Sequence, residues 1–158
     1  MAGPDRTRSA PSSPGPDVSR ATCPADAGLR ILVVDNEVRF TAMLRSLLEV
    51  DGHRVVAAFD PREAIAVVER ESLDVAIVDL SMPVMNGWKL AEQLRRRQPG
   101  LAIVLCTGWG DYTTDADQRA QVDVILAKPF RLNDLRRAIV DARSRAGWQS
   151  APTALDRD

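Results

Sequence analysis

Five apolar stretches of strand length recur along the chain: "LRILVVD", "RVVAAF", "LDVAIVDL", "LAIVLC" and "VDVILAK". The third and fourth are nearly continuous in apolar residues, as strands buried on both faces of a parallel sheet are. Between the stretches the period becomes that of an amphipathic helix. Phe40, Met43, Leu44, Leu47 and Leu48 repeat at i, i+3, i+4, i+7 and i+8. Leu90, Ala91 and Leu94 do the same after Gly87, and Leu135, Ala138, Ile139 and Ala142 close the series. In "DPREAIAVVER", Asp60 stands before Pro61, an N-cap followed by Pro at the first helical position. The segment "YTTDADQRAQ" is polar and has few apolar contacts to offer, so its helix is expected to be short.

Strand followed by helix, five times over, predicts an α/β sandwich with a doubly wound five-stranded parallel sheet and right-handed crossovers. Functional groups in such folds gather at the carboxyl ends of the strands. The apolar pattern begins near Leu29 and ends near Arg145. Residues 1–28 are rich in Pro and Ser ("SAPSSPGPDVS") and bury nothing, so they are expected to be a disordered tail. One domain is expected over 29–145, with a short C-terminal tail over 146–158.

Composition narrows the function classes. The 158 residues are 45% hydrophobic but only 4% aromatic, so the core is expected to be aliphatic. A net charge of −1 argues against a general electrostatic attraction to nucleic acid or anionic lipid. No run approaches the roughly 20 apolar residues of a membrane helix, and the first residues lack a signal-peptide pattern. The chain is expected to be cytoplasmic and free of the membrane. Cys23 and Cys106 have neither metal-site nor disulfide-framework spacing and are expected to be free thiols.

The chemistry-bearing residues lie at the strand ends: Asp35-Asn36-Glu37 after the first, Asp79 at the third, Thr107 at the fourth and Lys128-Pro129 at the fifth. Winding about strand one brings these ends around one crevice. Clustered carboxylates repel unless a cation joins them, and hard oxygen ligands suit Mg²⁺. A Lys and a Thr facing that cation complement an anion with several oxygens, such as a phosphoryl group. The implied chemistry is Mg²⁺-assisted transfer of phosphate onto a carboxylate, giving an aspartyl phosphate.

In "ILVVDNE", "VAIVDLSMPVMNGWKLAEQLR", "IVLCTGWG" and "VILAKPF", taken together and in order, the chain resembles a response-regulator receiver domain of bacterial two-component signalling. The resemblance covers about Leu29 to Arg145. It implies a (βα)5, flavodoxin-like fold and a signalling protein, not a separate output enzyme. Position by position it makes Asp79 the phospho-acceptor. Asp35, Asn36, Asp79 and the main-chain carbonyl of Ser81 become the Mg²⁺ ligands, Thr107 the switch hydroxyl and Lys128 its ammonium partner, ahead of a Pro129 whose peptide bond is often cis in the family. The implied partners are a sensor histidine kinase or phosphotransfer protein and a separate downstream output protein. The expected assembly is a monomer or a phosphorylation-dependent dimer. No helix-turn-helix follows Arg145, so direct DNA binding is not expected.

Each position also has a plainer reading. Asp79 can cap the turn after its strand, and Asp35 can cap the first helix. Glu37 reads as a first-turn helix residue, Thr107 as a β-branched strand residue and Lys128 as a solvated charge. Asn86-Gly87 reads as a turn. His53 reads as a surface residue, and Arg95-Arg96-Arg97 as the solvated end of the third helix.

Three departures from the family pattern are visible. Asn36 stands where an acid is usual and removes one negative charge from the metal set. Ile125 stands where an aromatic switch residue is common, three positions before Lys128. Trp109, two residues after Thr107, borders the expected water path and is expected to slow hydrolysis of the phosphoryl group. The first two motivate an alternative, a degenerate receiver acting as a phosphorylation-independent interaction module. A phosphatase would need a second acid where Ser81 stands. A nucleotide-binding enzyme would need a Gly-rich loop where "VDNEVRF" stands.

Overall fold

The computed structural model describes residues 28–108 and 115–147. Strand and helix alternate as β1 (Arg30–Val34), α1 (Val38–Val50), β2 (Arg54–Ala58), α2 (Pro61–Arg70), β3 (Val75–Asp79), α3 (Gly87–Arg97), β4 (Ala102–Thr107), α4 (Ala116–Arg119), β5 (Val124–Ala127) and α5 (Leu132–Arg145). The strands form one parallel sheet in the order β2-β1-β3-β4-β5. This is the expected doubly wound α/β architecture. The N-terminal stretch with Cys23, the segment with Trp109, and the C-terminal tail from 148 lie outside the described residues.

The near-continuous apolar runs have a direct cause in this sheet. All residues of β3 and β4 are buried, because side chains alternate between two covered faces. Leu32, Val34, Ala76, Val78, Ile103 and Leu105 join residues of α2 and α3 in one core. Ile31, Val33, Val75, Ile77, Val104 and Cys106 join residues of α1 and α5 in the other. β5, at the edge, is only half-buried.

In α1 the buried face differs from the expected stripe. Its buried residues are Thr41, Leu44 and Leu48, whereas Met43 is 49% exposed. Phe40, Met43 and Leu47 instead line an apolar groove of about 510 Å³ with Phe130, Leu132 and Leu135. The apolar arc of α1 is wide enough for two jobs, and the sheet takes only one edge of it.

Helix starts follow local chemistry. Asp60 accepts a hydrogen bond from the Glu63 N–H at 2.9 Å, and Pro61 opens α2 as expected. Asn86 does the same for α3, its Oδ1 accepting from the Lys89 N–H at 3.0 Å. Asn86-Gly87 is therefore a helix start, not a turn as expected. A β-carbon on Gly87 would lie 2.6 Å from the Asp79 carbonyl oxygen, so the absence of a side chain lets α3 begin directly against β3. The polar segment after β4 yields only the four-residue α4, with no buried residue, in line with its few apolar positions.

The arginine run at the end of α3 is paired within the chain. Arg95 bonds Asp123 at 2.6 Å, Arg96 bonds Glu92, and Arg97 bonds Glu69 at 2.9 Å. His53 is more than the expected surface residue: its Nδ1 accepts the Leu29 N–H at 3.1 Å and ties the start of β1 to the α1–β2 turn.

Candidate functional site

The sheet order puts the ends of β1, β3, β4 and β5 side by side, and four expected site residues meet there. Asp35 follows β1, Asp79 ends β3, Thr107 ends β4 and Lys128 follows β5. Asp35, Asp79 and Thr107 are 3%, 7% and 1% exposed, three polar side chains sunk in an apolar sheet. Burial of that kind is costly unless partners are provided. The Lys128 ammonium is the shared partner of the two carboxylates, donating to Asp35 Oδ2 at 2.9 Å and to Asp79 Oδ1 at 3.1 Å.

The backbone around the crevice is held from several sides. The Leu80 N–H bonds the Cys106 carbonyl at 2.9 Å, and the Lys128 N–H bonds the Thr107 carbonyl at 2.7 Å. Asp35 Oδ1 accepts the Glu37 N–H at 2.8 Å while Oδ2 faces Lys128. Asp35 is therefore not the cap of α1: Glu37 holds the N-cap position without a side-chain cap bond, and Asp35 Oδ1 braces the turn just before the helix while Oδ2 bonds Lys128. Glu37 is the residue preceding α1 and makes no side-chain cap bond, so it is not the first-turn residue expected. The Lys128-Pro129 peptide is cis.

Electrostatics follow from the burial. Desolvation pushes the Asp79 carboxyl above its ordinary range, against the hydrogen bond and charge of Lys128, with the Asp35 charge adding to the rise. Desolvation also pulls on Lys128, but its bonds to Asp35 and Asp79 outweigh that and raise it above its ordinary value. The ammonium is therefore held charged between the carboxylates. Burial pushes the Cys106 thiol up to about 12, so it stays protonated, and it is a free thiol as expected.

Two carboxylates against one ammonium leave the crevice net negative. Among the described residues no group of three or more His, Cys, Asp or Glu side chains is gathered for a metal. Asn36, exposed beside Asp35, is an amide and adds no third carboxylate there. The oxygen-only donor set still fits a hard divalent cation such as Mg²⁺. The Thr107 hydroxyl is buried without a hydrogen-bond partner among the described residues. An unpartnered hydroxyl at this position suits an incoming anion. Ser81 is exposed on the loop after Asp79. Ile125 lies on β5, half-buried against the core on the α2–α3 face.

Two residues of the first turn of α1 escaped the sequence reading. The Thr41 hydroxyl, fully buried, bonds the carbonyls of Asp35 at 3.2 Å and Glu37 at 3.0 Å, and so braces the acidic turn. Its one signal was a polar residue amid an apolar stripe. Phe40 belongs to that stripe by its period, yet the Lys128 ammonium lies 4.4 Å from its ring centroid.

Comparison with known proteins identifies the fold and the family. The family model described as the response regulator receiver domain matches residues 31–140. The transcriptional regulatory protein TcrA of Mycobacterium tuberculosis is 33% identical over 135 residues, which cover 85% of this chain and 53% of that protein. The virulence sensor protein BvgS of Bordetella bronchiseptica is 32% identical over 156 residues, covering 92% of this chain and 12% of that one. The chain thus spans about half, or far less, of the length of these curated relatives. A response regulator receiver domain protein from Clostridium thermocellum superposes with a TM-score of 0.68 at 30% identity, covering 74% of this chain and 95% of that one. The response regulator protein TrrA of Thermotoga maritima, solved in complex with Mg(2+)-BeF, gives 0.66 at 26% identity over 72% and 98%.

Proposed function

The chain belongs to the response regulator receiver domain family, and from that premise we propose that Asp79 accepts a phosphoryl group from a sensor histidine kinase or phosphotransfer protein. The observation that carries the reading is the meeting of Asp35, Asp79 and the unpartnered Thr107 hydroxyl around one ammonium. An Asp79 carboxylate oxygen attacks phosphorus, and the bond from phosphorus to the donor's leaving atom breaks. The electron pair of that bond departs with the donor. Lys128, charged throughout, balances the anionic oxygens gathered at Asp79. The Thr107 hydroxyl donates to a phosphoryl oxygen, gaining the partner it lacks.

Asp35, Asp79, the Asn36 amide oxygen and the Ser81 main-chain carbonyl would hold Mg²⁺, which would supply positive charge against the acidic pair and the phosphoryl oxygens. The modified domain signals through a separate output protein. Mg²⁺ and acetyl phosphate, followed by intact mass, test the reading. One added phosphoryl group, absent in Asp79→Ala, is expected. An unmodified wild-type mass, or addition that persists in Asp79→Ala, overturns it.

Asn36 and Ile125 favour a second reading, an interaction module that works without phosphorylation. It predicts an unmodified protein whose partner binding survives Asp79→Ala.

A further inference from the structure

Lys128 leaves the edge strand β5 on a flexible four-carbon stem, and its side chain is 27% exposed. Its two carboxylate bonds would not by themselves hold it in place once Asp79 carries a phosphoryl group, because one of those partners then changes its charge and shape. A contact that involves neither carboxylate lies at the base of α1. The Phe40 ring centroid is 4.4 Å from the Lys128 Nζ, within the range of a cation–π contact. That ring is itself braced: the Phe130 ring meets it edge-on, with centroids 6.0 Å apart and planes at 71°. Phe130 comes two residues after Lys128, so the chain that delivers the ammonium also delivers the support for its aromatic seat.

We infer that Phe40 is a positioning residue for Lys128, its ring seating the ammonium between Asp35 and Asp79 so that an aromatic side chain at position 40 sets the rate of phosphoryl acceptance. The inference rests on Asp79 being the phospho-acceptor. A competing role is apolar filling, since Phe40 and Phe130 also pack on the core between the sheet and helices α1 and α5. The two roles differ in what they require. Filling needs volume, which Leu or Met provides, whereas seating a cation needs the negative face of a ring.

The test uses the full chain with Mg²⁺ and acetyl phosphate and compares wild type, Phe40→Leu, Phe40→Met and Phe40→Tyr. Two quantities are read: the rate of labelling at Asp79, and the chemical shift of the Lys128 ε-methylene, which ring current moves upfield when the stem lies over an aromatic face. Phe40→Leu and Phe40→Met are expected to lose the upfield shift and to label about fivefold more slowly. Phe40→Tyr is expected to keep both. Wild-type labelling rates in a folded Phe40→Leu or Phe40→Met overturn the inference, as does a Lys128 shift that does not depend on the ring. Should wild type itself fail to label, the phospho-acceptor reading falls, and the shift comparison still decides whether the ring seats the ammonium.

Discussion

The Lys128 ammonium lies 3.1 Å from Asp79 Oδ1, joining the end of β5 to the end of β3 across the intervening β4. That bond does not fully compensate Asp79, whose carboxyl burial still pushes above its ordinary value of 3.8. A raised carboxyl stabilises the fold below the unfolded value. The benefit is lost as pH rises through the folded value, because the unfolded chain ionises first. Asp79→Asn removes this loss while Lys128 keeps Asp35. In metal-free buffer at neutral pH the variant is expected to be more stable than wild type. Urea unfolding from pH 4 to 8 should show the gap widening upward; a gap that narrows would contradict the sign.

Asn36 is an exposed amide beside Asp35, one of the ligands proposed for Mg²⁺. Asn36→Asp adds one negative charge beside Asp35, and ligand charge is a main determinant of affinity for hard cations. Mg²⁺ should bind about tenfold more tightly, equivalent to about 1.4 kcal/mol. Titration followed by intrinsic Trp fluorescence measures this, with Trp88 buried at the start of α3. Equal affinities would show that the amide already serves as well as an acid.

Gly87 permits α3 to abut β3. A β-carbon there would meet the Asp79 carbonyl oxygen at 2.6 Å and the Leu80 α-carbon at 2.8 Å, both backbone and unable to yield cheaply. Gly87→Ala is expected to cost about 2 kcal/mol in stability and to slow labelling by displacing Asp79. Thermal unfolding with the acetyl phosphate assay reads both; a neutral substitution would mean that α3 shifts freely.

Val84 is held at φ 75° and is 96% exposed, in a three-residue turn closed by the Met85 N–H bonding the Pro83 carbonyl at 2.9 Å. A β-branched residue is strained there. Exposure means that no packing is lost on truncation. Val84→Gly should therefore raise stability by about 0.5–1 kcal/mol, relief of strain exceeding the added chain entropy. A lower melting temperature would show that the turn is not strained by its side chain.

His53 accepts a hydrogen bond from the Leu29 N–H, which requires an unprotonated Nδ1. Burial pushes the imidazole below its ordinary 6.5, opposed by Asp51 and reinforced by Arg143. Asp51 is itself held by Arg136. Protonation in the unfolded chain comes first as pH falls, so stability is full above 6.5 and declines as pH drops toward the lowered folded value. The imidazole should titrate below 6.5 by NMR, and His53→Gln should flatten this part of the stability profile. A folded-state value above the ordinary one would reverse the expectation.

Asp35, Asp79, Thr107 and Lys128 could be found in the sequence because each ends an apolar run, and a doubly wound sheet gathers such ends. The alternation of periods also carried the strand count, the parallel winding and the weakness of α4. Periodicity says that a helix has an apolar arc but not how that arc is divided. Hence Thr41, not Met43, faces the sheet, and Phe40 turns toward Lys128. The same limit hid His53, whose role depends on a backbone group brought near by the pairing of β1 with β2. Local pattern, set by side-chain hydropathy and backbone period, determined which elements form and which residues crown the strands. Only tertiary structure decided which side chains meet there, because the meeting of Phe40, Lys128, Asp35 and Asp79 depends on strand order and helix rotation, which are settled by packing across the whole sheet.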